Sequence, residues 1–208
     1  NKTNDKIEAL VNYFSEADES DKPYVIALFT GKKPKRPVAT NLIRQWAIAL
    51  SNIPEWLFTE SYHSVGDLSE TVALVLPNAE HAIEKPLHQW IKELAQLQGK
   101  TDEEKKIYVL SAWNSLTTQE RFIFNKLISG NFRIGVSNKM LVNAIAKQSQ
   151  QDANKIMHSI MGKWQPDSIS YAELTSGSHV NTDNSWPYPF CLAYALDTEP
   201  QNLGNPTD

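Results

Sequence analysis

The sequence predicts an all-α domain of about ten helices over residues 1–175, and three observations carry that expectation. Apolar residues recur at three- and four-residue spacing almost throughout, which is the period of an amphipathic helix. An Asp or Thr followed three residues later by Glu appears at Asp67…Glu70, Thr101…Glu104 and Thr117…Glu120. Such pairs satisfy the unpaired N–H groups of a helix start. There is little strand signal before Trp186. A chain of 208 residues with 41% hydrophobic composition can build one full-sized domain, and 21% charged residues argues against a disordered one.

The elements follow in order. Ile7, Leu10, Val11 and Phe14 give the first helix. A second covers Pro23 to Phe29, with proline tolerated in its first turn. The stretch Gly31 to Ala39 holds two prolines and reads as an extended basic loop. The next helix opens at Thr40 and runs to Leu50. Pro54 opens another, which Gly66 ends, and the Asp67 box starts one that stops at Pro77. A helix spans Pro86 to Leu97 and terminates near Gly99. The boxes at Thr101 and Thr117 open two more, and Ser137 caps the following one. Asp152 to Trp164 and a short Tyr171 to Leu174 segment complete the set. Residues 176–185 read as a polar linker, and 186–208 as the opening of a second domain that the sequence does not contain. Its first residue is Asn1 and not Met, as expected of a piece of a longer chain.

The stretch Glu120 to Lys147 reads as helix, exposed turn, helix. Gly130 and Gly135 bracket the turn and Arg133 sits between them. Free N–H groups at the next helix start, an arginine and two flexible backbone positions suit a phosphate-bearing partner. The same design occurs earlier: Leu28-Phe29-Thr30-Gly31 is echoed by Leu127-Ile128-Ser129-Gly130, and each glycine leads through a basic loop to a helix opening at Thr40 or Ser137. Net charge is −4, which by itself opposes a polyanion partner, but its distribution reverses the inference. From Pro23 to Pro54 there are five basic residues and no acid, and from Arg121 to Gln151 again five and none. Two basic turns on an acidic body hold a polyanion on one face.

Other function classes are poorly supported. Cys191 is the only cysteine, so neither a disulfide framework nor a cysteine zinc site can form within the chain. There is no membrane-spanning run. His81 and His88 do not form a convincing metal set. Capping explains Asp102-Glu103-Glu104 without catalysis, and the six tryptophans sit mostly at core spacing.

The central segment ERFIFNKLISGNFRIGVSNKMLVNAIA resembles the DNA-binding domain of ATP-dependent DNA ligases, whose corresponding segment ends in an Arg-Ile-Gly turn, here Arg133, Ile134 and Gly135. Val65-Gly66-Asp67-Leu68 resembles the family's Gly-Asp helix start, and Lys105-Lys106-Ile107 fits the helix before the central pair. Pro187 to Ala193 resembles the run that enters the nucleotidyltransferase domain. The lysine-rich loop at Gly31 to Ala39 looks like a bacterial branch. The resemblance implies a DNA-ligase-type all-α domain that binds duplex DNA, nicked in the reaction, through Lys32, Lys33, Lys35 and Arg36 of the loop. Thr40, Asn41 and Arg44 of the next helix, Gly66, and Arg133, Ile134, Gly135, Val136, Ser137, Asn138 and Lys139 of the central turn complete the implied set. It further implies a cytoplasmic monomer, associated with the nucleoid if bacterial. ATP and Mg2+ would belong to the parent enzyme, with no cofactor in these residues. The family's Lys-x-Asp-Gly tetrapeptide, which carries the adenylated lysine, does not occur here, so no lysine–AMP is expected on this chain. A helical protein-interaction domain of the HEAT type is the alternative; it explains the helices but not two acid-free basic turns.

Overall fold

The computed structural model describes residues 2–32, 35–79, 83–130, 132 and 135–178. Within them are eleven helices and no strand: α1 (Lys2–Glu16), α2 (Lys22–Phe29), α3 (Thr40–Ser51), α4 (Glu55–Val65), α5 (Leu68–Val75), α6 (Leu87–Gln96), α7 (Asp102–Ser115), α8 (Thr118–Ser129), α9 (Asn138–Ser149), α10 (Ala153–Met161) and α11 (Tyr171–Ser176). Most of the expected linker and all of 186–208 lie outside the described residues.

Local chemistry sets most of these boundaries. Thr101 and Thr117 close full capping boxes with Glu104 and Glu120, and Ser170 closes one with Glu173. Ser137 accepts from the Met140 amide at 3.2 Å, and Asp152 from those of Asn154 and Lys155. Gly66 and Gly130 end α4 and α8 at φ 78 and 70, where a side chain would be strained. α3 opens at Thr40 as expected, with Ala39 at its N-cap and the Thr40 hydroxyl accepting from Arg36 Nη2 at 2.9 Å. One expectation needs correction. The Asp67 pair caps differently from a simple box, because one carboxylate oxygen takes the Glu70 amide at 3.1 Å while the other takes the Lys126 ammonium. α6 borrows its cap: Asp21, 66 residues back, accepts from the amides of Leu87 and His88 and contacts His88 Nδ1 at 2.6 Å.

Two apolar clusters share α2 as their common wall. Tyr24 and Leu28 face the first, which draws on α3 to α8. Val25, Ile26 and Ala27 face the second, made by α1, α9, α10, α11 and Trp164. A helix apolar on all sides belongs in such an interior. Trp46, Trp90, Trp113 and Trp164 are buried, as their spacing suggests, whereas Trp56 is 67% exposed.

The frame that positions the candidate site is the antiparallel pair α5 and α8. At the start of α8, Arg121 is 1% exposed and donates to the carbonyls of Ala73, Leu76 and Pro77 at the end of α5. At its end, Asn125 donates to Ser69 O at 3.1 Å and Lys126 pairs with Asp67. Burial pushes the Asp67 carboxyl up, but the bonds from Lys126 and the Glu70 amide outweigh it and hold it below the ordinary 3.8. Glu93 behaves likewise, its burial outweighed by bonds from Lys85 and Tyr108.

A carboxyl depressed in the folded state contributes stability that is present above its unfolded pKa and lost as pH falls through its folded one. The urea midpoint is therefore expected to hold from about pH 7 to 5 and to fall below about pH 4. Asp67→Asn should lower the midpoint at neutral pH and make the acid fall shallower. An Asp67→Asn protein with the wild-type pH profile would show that this pair adds nothing.

Candidate nucleic-acid interface

Three turns meet at the C-terminal end of α8. The Gly66-Asp67 turn is fastened there by the buried Lys126, in the last turn of that helix. The loop after α2 lies against Gly130, where an added Cβ would come 3.5 Å from the Arg36 Cβ. Phe29 at the end of α2 meets Phe132 edge-on, with ring centroids 6.0 Å apart. The two echoed turns are therefore neighbours in space. Beyond Phe132, Gly135 has φ 67 and its carbonyl accepts from Lys6 of α1 at 2.8 Å. The N-cap of α9, Ser137, follows two residues later. The start of α3 lies beside Arg36, so the positive N-terminal ends of α3 and α9 both adjoin these turns.

The cations counted in the sequence divide into two kinds. Arg121 and Lys126 are internal and hold α8 to its neighbours. Lys32 is half-buried; its ammonium donates to Gly162 O at 2.7 Å and lies 5.1 Å from the Trp164 ring, and burial lowers its pKa. Arg44 pairs with Glu55 at 3.4 Å and donates to Thr59 at 2.8 Å. Lys35, Arg36 and Lys139 are exposed near the turns, together with Asn41, Gly66, Gly135, Ser137 and Asn138; Thr40 and Val136 are half-buried. Arg36 is braced by its Nε donating to Val38 O at 3.0 Å, and the Lys35 carbonyl is held by Gln98 at 3.1 Å. Lys33, Arg133 and Ile134 lie outside the described residues, as does His81.

This face offers exposed cations, small polar side chains and backbone N–H groups at helix starts, donors of the chemistry that phosphate oxygens accept from. Among the described residues no group of His, Cys, Asp or Glu is placed to hold a metal ion, and no helix is long and apolar enough to cross a membrane. Sequence reasoning missed Lys6 and the Asp67–Lys126 tie. Neither leaves a local signal, because the partners are 129 and 59 residues apart.

A family model described as DNA ligase N terminus matches residues 1–146, which takes in α1 to α8, the central turn and most of α9. A search of curated proteins returned no match.

Proposed function

The chain belongs to the DNA ligase N-terminal family, and from that premise we propose that it grips duplex DNA around a nick, without reading sequence, on behalf of a ligase. One observation carries the proposal: Arg36, the Gly66-Asp67 turn and Gly130 gather at one end of α8, with the N-termini of α3 and α9 and exposed cations beside them. A ligase acts at any sequence, so its grip must fall on sugar and phosphate, which position a protein without specifying bases. Lys35, Arg36 and Lys139 supply charge; Asn41, Ser137 and Asn138 supply hydrogen bonds. Arg133 is assigned to the minor groove, where the concentrated negative potential attracts a guanidinium. Its role rests on its place between Gly130 and Gly135. Lys32 and Arg44, whose donors are engaged within the fold, brace the loop and the helix behind it. ATP and Mg2+ belong to the chemistry of the parent enzyme.

The experiment is a competition titration. At low salt the 208-residue chain is expected to bind a labelled duplex with Kd on the order of 10⁻⁶ to 10⁻⁴ M, the non-specific range. Unlabelled duplexes of unrelated sequence should compete alike. Strong preference for one sequence would overturn the reading. Absence of binding would favour a helical protein-interaction domain.

A further inference from the structure

We propose that the first turns of α1 are a further DNA-contacting element, in which Lys2 and Lys6 hold phosphates of the duplex backbone beside the start of α9. The inference rests on the DNA-gripping function above. It extends the footprint to a helix that no basic run in the sequence marks.

α1 and α9 lie side by side and point the same way. Leu10 and Phe14 of α1 are buried in one cluster with Leu141 and Ile145 of α9, and Val136, just ahead of α9, packs against that cluster. At one end the Lys6 ammonium donates to Gly135 O at 2.8 Å, two residues before the Ser137 cap. At the other end Phe14 stacks on Tyr171, with ring centroids 5.6 Å apart, and the Tyr171 hydroxyl donates to Gln148 Oε1 at 2.7 Å near the end of α9. The first turns of α1 therefore flank the start of α9, where Lys139 is also exposed.

Helical position sorts the charges of α1. Lys2 and Lys6 are four residues apart and share a face, which Ala9 and Tyr13 continue. Lys6, Ala9 and Tyr13 line one groove with Val136, so this face is the one turned toward α9. Asp5 and Glu8 are rotated from it by about 70 to 130° at roughly 100° per residue. Lys2 and Lys6 are both exposed. An ammonium has three donors; the Gly135 carbonyl takes one from Lys6 and leaves two for phosphate oxygens. The same bond keeps the charge beside the interface, so less freedom is lost when a phosphate arrives.

The test is a salt titration of duplex binding by the 208-residue chain. Lys2→Gln combined with Lys6→Gln should weaken binding about tenfold at roughly 100 mM salt. It should also remove about one to two from the log–log slope, a contribution made on top of that of the turn cations. The unfolding midpoint should stay in place, because both side chains are exposed. Lys147→Gln combined with Lys155→Gln removes the same charge from exposed positions in the last turn of α9 and the first of α10. That pair should change affinity less than about twofold, since distant charges are screened. Equal losses from the two pairs would reduce the effect to net charge and overturn the proposal, as would a wild-type slope in the Lys2/Lys6 variant. A second measurement needs no variant. Amine-reactive labelling of the wild type should slow several-fold at Lys2 and Lys6 when duplex is bound, and stay the same at Lys147 and Lys155; labelling of Lys2 and Lys6 that duplex leaves unchanged would overturn the proposal. Failure of the wild type to bind duplex would reject the DNA-gripping function and this extension together, whereas binding that ignores both lysines would reject the extension alone.

Discussion

Arg121→Met is expected to lower the unfolding free energy by roughly 3–5 kcal/mol, the range for stripping one member from a buried charged network. The side chain is 1% exposed. Its partners are carbonyls: Trp113 O at 2.6 and 3.1 Å, Pro77 O at 3.0 Å, Leu116 O at 3.3 Å, Leu76 O at 3.4 Å and Ala73 O at 3.5 Å. These oxygens belong to the ends of α5 and α7, where helical carbonyls run out of intrahelical donors and the dipole is negative. Burial lowers the guanidinium pKa, but arginine stays protonated in proteins. One planar donor set thus satisfies the carbonyls at two helix ends. Methionine has similar bulk and no donor, so the carbonyls are left facing apolar atoms. Arg121→Lys should recover part of the loss, since an ammonium cannot span so many acceptors. Urea unfolding followed by circular dichroism gives the difference; a change below about 1 kcal/mol would mean that the carbonyls find water instead.

Arg133→Ala is expected to weaken duplex binding by roughly 1–3 kcal/mol, the range for a fitted arginine contact, with helicity intact. The flanks of its turn are anchored, Gly130 against Arg36 and Gly135 to Lys6. A turn on the surface contributes little to the core, so loss of binding should not be loss of fold. Lys32→Ala is the informative contrast. In sequence Lys32 looks like the first of four cations of an extended basic loop, yet its ammonium sits on Gly162 O and over Trp164. Its removal should lower affinity less than removal of Arg133 and should instead cost on the order of 1 kcal/mol of stability. Equal binding by Arg133→Ala and wild type would move the site away from this turn.

The helices were legible because their starts are chemical statements made within four residues, as at Thr101…Glu104 and Thr117…Glu120. What stayed hidden was settled by partners far away in the chain. Nothing near Pro86 announces that Asp21 will cap α6. The basic run from Arg121 to Gln151 reads as a surface, but Arg121 faces carbonyls, which every residue has and no sequence marks. Lys126 meets its acid 59 residues upstream. Counting charges therefore overstated the exposed positive surface, while the echo of the two glycine turns pointed to a real neighbourhood at Gly130 and Arg36. Helical period also says which positions share a face but not whether that face is covered: Ile107 is 64% exposed and Trp56 67%.

The most direct test of the DNA-gripping function is the affinity of the wild-type chain for duplex DNA across roughly 50 to 300 mM monovalent salt. If the proposed set Lys33, Lys35, Arg36, Arg133 and Lys139 neutralises about four to six phosphates, the log–log slope is expected at roughly −4 to −5. A slope near zero, or no binding at the lowest salt, would contradict a phosphate-gripping face at the end of α8.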